Sequence, residues 1–557
     1  MTNLWTRTAI VCVLAVTVSA PLVARRWVDQ PVGEDEQTNA MQAIRARGRL
    51  VVLTPHNDQI RYEFATAFNR HRIALGRSPV EFDWRSPGGT SDLRKQVISQ
   101  FTKLAQSCRE PEGIGVDLFF GGGPFEHDLL ARGLVVERDR RMVHIPLTAP
   151  INLPRQQIEA CFPDADIGGQ PLYRVDAGGG PIRWVGTALS SFGIVWNRQV
   201  VAMLGLNEPR GWSDLCQPVY QSWIALADPA HSGSVAATYN TILQTNGWST
   251  GWWILRRVFA NAQYFSSSAS KVPLDVSAGE AAAGTCIDFY GRYQAGQVPK
   301  GRVGYRDPVR QSSSTGETNP GLETAVTADP ISILVGAPSP ELALAFVTFV
   351  LSTEGQGLWQ RRLGTEGGPA KYELRRMPVV RSMYRPDEMK HWHDPVNPFN
   401  LARPLPKGMP SFYKTVAPVA HAMAIDIHDD LRAAWSTLQR SGVDRPNARQ
   451  KKMLELFDAM PTGTDDRGED FSLAIRWPEG VQERDVTSIL NDPSHSRHGQ
   501  LIETLRAFAN RLTRRYTIKG SQRSWNDQDK LLRHRLAWTT FFRKNYRAIV
   551  ELADSES

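Results

Sequence analysis

The chain has 557 residues, of which 41% are hydrophobic and 22% are charged. This composition is ordinary for a globular protein, and the length is too great for one hydrophobic core, so two lobes and an appended segment are expected. The net charge of +8 is spread over 65 basic and 57 acidic residues. The sequence has no basic stripe with interleaved aromatic residues, and it therefore gives no indication of nucleic-acid binding.

The N-terminus has the layout of an export signal. Met1–Arg7 ends in a cation, and an unbroken apolar stretch follows over residues 8–24. Pro21 and Leu22 disturb the two available cleavage sites, so a signal peptide and an uncleaved membrane anchor over residues 1–26 both stay open. Either one predicts a periplasmic or otherwise extracytoplasmic location.

Four cysteines follow this signal, and none of them is part of a Cys-x-x-Cys pair. They are Cys108, Cys161, Cys216 and Cys286. An even number of cysteines in an oxidising compartment is compatible with one or two disulfide bonds, and four buried thiols are the alternative. The sequence assigns no pairing.

Three strand–loop–helix units open the globular part. Strands are predicted over residues 49–55, 80–84 and 116–120, and each ends in a loop rich in Gly, Ser, Thr or Asn. Loops at the carboxyl ends of parallel strands line the ligand crevice of an open sheet, so we expect these loops to share one rim. The loop residues are His56, Asn57, Gly89, Thr90, Gly122 and Gly123.

The most informative segment is residues 223–234, Trp-Ile-Ala-Leu-Ala-Asp-Pro-Ala-His-Ser-Gly-Ser. Its apolar run, Ile224–Ala227, predicts a buried strand, and a helix is predicted over Val235–Asn246. The polar break between them places unpaired backbone N–H groups at the helix start, where they favour an anion. The residues at this position are Ser232, Gly233 and Ser234.

Helices dominate the C-terminal third of the chain. A predicted strand over residues 324–334 returns to the first lobe, and beyond about Pro395 helical segments are predicted over 416–438, 451–460 and 531–552. We therefore predict a two-lobed α/β fold with an α-helical C-terminal extension. The predicted domains are a spacer (27–47), lobe 1 (48–148, with a return segment at about 320–375), lobe 2 (149–319), a connector (376–400) and the extension (401–557).

Several phrases of this sequence resemble one family. They are Thr-Pro-His-Asn (54–57), Trp-Arg-Ser-Pro-Gly-Gly-Thr-Ser (84–91), Asp-Leu-Phe-Phe-Gly-Gly-Gly (117–123), Leu-Ser-Ser-Phe-Gly-Ile-Val-Trp-Asn-Arg (189–198), and the segments 227–234, 288–294 and 339–356. In combination they resemble the type II periplasmic solute-binding proteins of ABC importers, in the branch for ferric ions, spermidine or putrescine, and phosphorylated solutes. The resemblance covers about residues 49–381. It implies two lobes, joined by a β-strand hinge, that close on one solute.

The resemblance also implies a set of ligand-binding residues on both sides of a cleft. The candidates are His56, Asn57, Gly89, Thr90, Gly122, Gly123, Ser190, Ser191, Ser232, Gly233, Ser234, Ser268, Asp288, Tyr290 and Asp329. Neutral N–H and O–H donors of this kind hold an anion and still permit its release.

The iron-binding members of the branch raise the question of a metal. Asp288 and Tyr290 lie where these relatives place adjacent tyrosine ligands, but Phe289 replaces the second contiguous tyrosine. Fe(III) prefers hard oxygen donors, so the lost phenolate favours a metal-free anionic or zwitterionic solute. If a metal is bound, its ligands would be His56, Asp288 and Tyr290. No cofactor is required, and Fe(III) stays a candidate only as the transported ligand.

The sequence thus predicts the substrate-binding component of an ABC importer, a monomer that delivers a small anionic or metal-associated solute to an inner-membrane permease. It predicts no enzyme, since no G-x-S-x-G elbow, H-E-x-x-H motif or P-loop lysine is found. An exported sensor or scaffold that uses a solute-binding module is the main alternative, and an exported hydrolase is the other. A polyamine ligand would instead use Asp288 and Asp329 as ammonium partners.

Overall fold

The computed structural model describes residues 48–138, 140–299, 301–309, 322–406, 408–442, 447–514 and 525–555. The predicted signal or anchor and the spacer lie outside the described residues. The strands are β1 (Arg49–Leu53), β2 (Glu81–Arg85), β3 (Leu118–Phe120), β4 (Leu134–Arg138), β5 (Arg141–Ile145), β6 (Asp166–Ile167), β7 (Gln170–Pro171), β8 (Tyr173–Val175), β9 (Ile182–Ser190), β10 (Phe192–Asn197), β11 (Ile224–Ala227), β12 (Ala262–Ser266), β13 (Ala283–Ile287), β14 (Val303–Arg306), β15 (Thr327–Ile333) and β16 (Met377–Pro378).

The α-helices alternate with these strands and then continue alone. They are α1 (Asp58–Ala74), α2 (Thr90–Gln106), α3 (Pro124–Arg132), α4 (Arg155–Cys161), α5 (Arg198–Met203), α6 (Gly233–Asn246), α7 (Trp248–Ala260), α8 (Lys271–Ala278), α9 (Asp288–Gln297), α10 (Pro340–Leu351), α11 (Thr353–Gln360), α12 (Pro386–Met389), α13 (Pro398–Leu401), α14 (Tyr413–Met423), α15 (His428–Arg440), α16 (Ala448–Asp458), α17 (Val486–Asn491), α18 (His498–Arg514) and α19 (Trp525–Asp554). Short 3-10 helices cover Glu110–Glu112, Trp212–Cys216, Pro218–Tyr220, Arg381–Tyr384, Ile425–Ile427 and Glu483–Asp485.

Lobe 1 is built on a seven-stranded sheet in the order β16-β9-β15-β3-β1-β2, with β8 beside β9. Strand β1 is parallel to β2 and β3, whereas β15 is antiparallel to β3 and β9. Successive side chains of a strand point to opposite faces, so the apolar run of β1 feeds two cores. Leu50 and Val52 pack with Phe64 of α1, and Val51 and Leu53 belong to the core on the other face of the sheet.

Lobe 2 is built on a five-stranded sheet in the order β12-β11-β13-β10-β14. All four residues of β11 are fully buried, as the apolar run predicted. The helical extension shares the core of this lobe, because Val416 of α14, Trp435 of α15 and Trp538 of α19 belong to the same hydrophobic cluster as Leu226. Lobe 2 and the extension therefore form one packed body.

The chain crosses between the lobes at three places in the described ranges. Strand β9 of lobe 1 runs into β10 of lobe 2 through the single residue Ser191, and the segment before β15 makes the return. The described residues 403–406 and 408–412 then lie between lobe 1 and α14. The prediction of two α/β lobes with a β-strand hinge and a helical C-terminal extension is confirmed.

The domain boundaries differ from those predicted. Residues 149–190 belong to lobe 1, not to lobe 2, because Ile151, Ile158 and Phe162 lie in its core and β9 lies inside its sheet. A strand that continues from one lobe into the other carries no turn or composition change at the crossing, so the sequence does not mark it. The predicted connector also packs in lobe 1, with Met377 and Trp392 in the same core.

The four cysteines of the described chain are free thiols. Cys108 is exposed, and the other three are buried in different parts of the fold. Burial raises the pKa of Cys161 to about 11. Within the described ranges no single helix is both long enough and apolar enough to span a membrane, although the bent pair of α10 and α11 meets these criteria together.

One histidine joins the extension to lobe 2. His421 of α14 lies between two carboxylates, with Nε2 at 3.0 Å from Asp228 and Nδ1 at 2.9 Å from Asp426. Burial alone would lower the pKa of His421, but hydrogen bonds to these two carboxylates raise it above the ordinary value. The imidazolium then donates to Asp228, at the end of β11, and to Asp426, which also accepts from Arg535 of α19.

This histidine makes the stability of the packed body depend on pH. A raised folded-state pKa stabilises the fold fully below the unfolded value near 6.5, and this contribution is lost as the pH rises through the folded-state pKa. The contribution of His421 to the unfolding temperature should therefore fall as the pH rises above about 6.5, so the wild type should lose more stability over that range than His421→Gln. Differential scanning fluorimetry measures it, with the exposed His495→Gln as control. An equal slope in the His421 variant would contradict the assignment.

Candidate functional site

A cavity of about 610 Å³ lies between the two lobes. This volume is typical of small-molecule sites. Its walls come from the strand ends of lobe 1, from the start of α6 and the loop after β12 in lobe 2, and from the segment that precedes α14. The predicted residues that line it are His56, Asn57, Gly89, Thr90, Gly122, Gly123, Ser190, Ser232, Gly233, Ser234, Ser268, Tyr290 and Asp329.

Several helices begin at this cavity. Helices α1, α2 and α3 of lobe 1 and α6 of lobe 2 all have their first residues in its wall. The N-caps of α2 and α3 are Gly89 and Gly123, which have no side chain to accept from the first-turn N–H groups. In α6 the Ser232 hydroxyl caps the N–H of Val235 at 3.4 Å. Each helix start carries a partial positive charge that favours an anion, while the first turns of α1 and α3 also bring the carboxyl groups of Asp58 and Glu126 to the cavity wall.

The floor of the cavity holds a buried ion pair. Arg376, just before β16, lies with Nη1 at 2.8 Å from a carboxylate oxygen of Asp329 on β15. The second carboxylate oxygen of Asp329 accepts from the N–H of Gly122 at 2.8 Å, and the guanidinium donates to the Ser190 hydroxyl at 2.7 Å. Burial would raise the pKa of Asp329, but the charge of Arg376 and a bond from His56 hold it below the usual range.

His56 completes the floor as a neutral side chain. Its Nε2 lies 2.8 Å from Asp329 and 3.2 Å from Nη1 of Arg376, and its ring packs against Phe120 at 4.5 Å. Burial lowers the pKa of this imidazole, although Asp329 acts in the other direction. With one guanidinium, one carboxylate and a neutral imidazole, this part of the floor carries no net charge.

The two lobes touch at the rim of the cavity. A Cβ atom built on Gly89 of lobe 1 would lie 2.3 Å from the carbonyl oxygen of His231 in lobe 2. Carbon and oxygen atoms do not approach so closely, and only glycine therefore permits this contact. The lobes stand in a closed arrangement.

The extension also reaches the cavity. Ser411 and Tyr413 line it, and the Tyr413 hydroxyl lies 2.8 Å from a carboxylate oxygen of Glu126 in lobe 1 and 3.3 Å from the carbonyl oxygen of Gly233 in lobe 2. The residues that line the cavity therefore come from three parts of the chain.

Comparison with known proteins identifies a family model and several relatives. Residues 180–392 match the family model described as bacterial extracellular solute-binding protein. The resemblance to that family is confirmed. The phosphoglycerate transport regulatory protein PgtC of Salmonella typhimurium is 27% identical over 190 residues, which are 34% of this chain and 43% of PgtC. The chain thus spans less than half the length of PgtC. An uncharacterized Haemophilus influenzae protein is 27% identical over 274 residues, which are 49% of this chain and 68% of that protein.

Solved structures show more distant similarity. The periplasmic binding protein AfuA of Actinobacillus pleuropneumoniae, with fructose-6-phosphate bound, has a TM-score of 0.45 and 18% identity, over 70% of this chain and 98% of AfuA. Iron-bound HitA of Pseudomonas aeruginosa has a TM-score of 0.44 and 15% identity, over 65% of this chain and 93% of HitA.

Two of the predicted binding residues do not line the cavity. Ser190 and Ser191 are consecutive residues of an extended segment and point to opposite sides, so Ser191 turns away and donates to Asp307 at 2.5 Å. Asp288, the first residue of α9, is fully buried, and burial raises its pKa to about 7. The following two residues of that helix, Phe289 and Tyr290, line the cavity instead.

The structure does not bring the three candidate metal ligands together. Tyr290 lines the cavity and Asp288 does not, while His56 is bonded to Asp329 beside a guanidinium. The sequence did not single out Arg376, because it adjoins Arg375 in a stretch without a motif. Tyr413 was missed for a related reason, since the extension was interpreted as a separate unit.

The ion pair of the floor makes a strong prediction for stability. Arg376→Met would leave the Asp329 carboxylate buried without its cation, at a cost of about 3–5 kcal/mol of unfolding free energy. We expect a large fall in the unfolding temperature, and adding Asp329→Asn should restore part of it. The control is Arg381→Met, because the pair of Arg381 with Asp164 is half-exposed and contributes little. Equal effects of the two arginine substitutions would contradict the prediction.

Proposed function

We propose that this chain captures a small anionic solute outside the cytoplasm by closing its two lobes and delivers it to the permease of an ABC importer. The observation that carries this proposal is the convergence of helix N-termini from both lobes on a cavity whose floor holds the paired charges of Arg376 and Asp329. With no net charge in the floor, the helix starts and the hydroxyl groups set the preference for an anion.

The donors of the cavity suit reversible binding. Backbone N–H groups and serine hydroxyls at the starts of α2, α3 and α6 would bond an anionic oxygen from both sides, and each such bond contributes about 1.5–3 kcal/mol. The solute favours closure only by the difference between its affinities for the closed and open states. Because donors come from both lobes, the full set exists only in the closed state.

A phosphorylated acid is the solute class we favour, and the name of PgtC, a phosphoglycerate transport regulatory protein, supports it. We further propose that the solute binds without a metal. The guanidinium of Arg376 stands 2.8 Å from Asp329 and 3.2 Å from His56, and this cation competes with a metal for those two ligands. Ferric ion bound through Tyr290 is the alternative, and ferric citrate tests it in the ligand screen.

Ligand screening tests this proposal directly. We expect phosphoglycerate, a sugar phosphate or inorganic phosphate to raise the unfolding temperature of the purified protein and to give saturable heat in isothermal titration calorimetry. Ferric citrate and spermidine serve as the other arms of the screen. Stabilisation by spermidine alone would overturn the anion proposal, and stabilisation by ferric citrate alone would overturn the metal-free one.

A glycine substitution tests closure over the solute. Gly89 has φ −73° and ψ 168°, which any residue adopts, so Gly89→Ala should fold normally. The added Cβ would meet the His231 carbonyl and hold the lobes apart. We expect calorimetry to show at least about tenfold weaker binding of the phosphorylated solute, which corresponds to about 1.4 kcal/mol. The control is Gly88→Ala, whose Cβ would meet only Asp92 of the same lobe. Unchanged affinity in Gly89→Ala would contradict closure at this rim.

A sensor is the second candidate function, and the packing of the extension on lobe 2 favours it, together with the word regulatory in the name of PgtC. The two functions differ in cells. If the chain serves import, a deletion of its gene abolishes uptake of the radiolabelled solute. If it serves as a sensor, uptake continues and only the transcriptional response to the solute is lost.

A further inference from the structure

The helical extension contributes to the wall of the cavity between the lobes, which the family resemblance does not include. Its first residues, Pro410–Tyr413, lie along α6 at the edge of the cavity. Asn240 of α6 accepts the N–H of Phe412 at 2.7 Å, and Gln244 donates to the Pro410 carbonyl at 3.2 Å. Phe412 is fully buried, with its ring 4.8 Å from that of Trp248. This segment is therefore fixed to lobe 2 and moves with it.

Tyr413 extends from this fixed segment to lobe 1. Its hydroxyl bonds the buried Glu126 of α3 at 2.8 Å, and its ring lies 4.3 Å from that of Phe125. The hydroxyl also lies 3.3 Å from the Gly233 carbonyl of α6. An ionised Glu126 accepts a hydrogen bond from the Tyr413 hydroxyl. A protonated Glu126 instead donates to the hydroxyl oxygen, and the hydroxyl then donates to the Gly233 carbonyl. The bridge between the lobes exists in both cases.

These contacts cannot survive opening of the lobes, because Glu126 and Phe125 move with lobe 1 and Tyr413 moves with lobe 2. We propose that Tyr413 is a latch that the extension supplies to the binding site: its contact with lobe 1 forms whenever the lobes close, and it stabilises the closed state both with and without solute. The position of the extension relative to lobe 1 thereby reports whether the cavity is closed. This inference rests on the proposed function, since that function assigns solute capture to the closed state.

The first test measures closure without any solute. Spin labels on the exposed native Cys108 of lobe 1 and on Glu280→Cys of lobe 2, in a full chain that carries Cys12→Ser, report the distance between the lobes by double electron–electron resonance. The remaining three cysteines are buried and should not react. We expect Tyr413→Phe to lengthen and broaden the distance distribution. The control is Tyr384→Phe, which removes a hydroxyl bonded to Pro378 inside lobe 1.

The second test measures affinity by calorimetry with phosphoglycerate and with inorganic phosphate. We expect Tyr413→Phe to weaken binding of the probe by about tenfold, the loss of one hydrogen bond to a carboxyl group, with Tyr384→Phe within about twofold of wild type. Glu126→Leu should have the same effect, and the double variant should be no weaker than either single one, because both remove the same bridge.

The outcomes separate the latch from the proposed function. Wild-type distances and wild-type affinity in Tyr413→Phe, with an unchanged unfolding temperature, would overturn the latch. If Tyr413→Phe unfolds, Glu126→Leu supplies the same comparison from lobe 1. If neither phosphate probe binds wild type, the proposed function fails for this solute class, and the distance measurement still decides whether Tyr413 holds the lobes together.

Discussion

The buried pair of Arg376 and Asp329 is the interaction on which the binding site depends. Asp329 lies on β15, and Arg376 lies just before β16. Together they form hydrogen bonds with His56 in the loop after β1, Gly122 in the loop after β3 and Ser190 at the end of β9. A pair so deeply buried contributes little net stability, but either charge alone would be costly. Its consequence is geometric, because three chain segments of lobe 1 are held around one floor in which the charges of Arg376 and Asp329 cancel.

That neutrality gives the helix starts their importance. A free cation in the floor would bind an anion tightly and release it slowly, and a free carboxylate would repel it. Because Arg376 and Asp329 cancel, the attraction that we propose for an anion would come from backbone dipoles and hydroxyl groups of both lobes, which are moderate in strength and shared between them. On this proposal the binding strength depends on how completely the lobes close, and contacts at the rim such as Gly89 with His231 would affect affinity without touching the solute.

Local sequence patterns predicted the parts of the fold that local physics determines. The apolar run at Ile224–Ala227 is the buried strand β11, and the strand-end loops do meet at one cavity, because carboxyl ends of parallel strands share an edge. The sequence did not reveal the crossing between the lobes at Ser191, because the extended chain continues from β9 into β10 without a turn or a change in composition. Arg376 and Tyr413 were not predicted because their roles come from long-range contacts, over 47 residues to Asp329 and 287 residues to Glu126.

The extension changes how the two-lobed architecture should be understood. Its helices share one hydrophobic core with lobe 2, so the body that moves against lobe 1 is larger than the lobe 2 sheet and the helices that cover it. A body of that kind moves as a unit, and any residue it presents at the cavity must follow the hinge. Tyr413 lies where this body meets lobe 1, in the wall of the cavity. The packing of the extension far from the cavity thus fixes the Tyr413 side chain at the cavity. Because the extension moves with lobe 2, its position relative to lobe 1 changes whenever the lobes open or close.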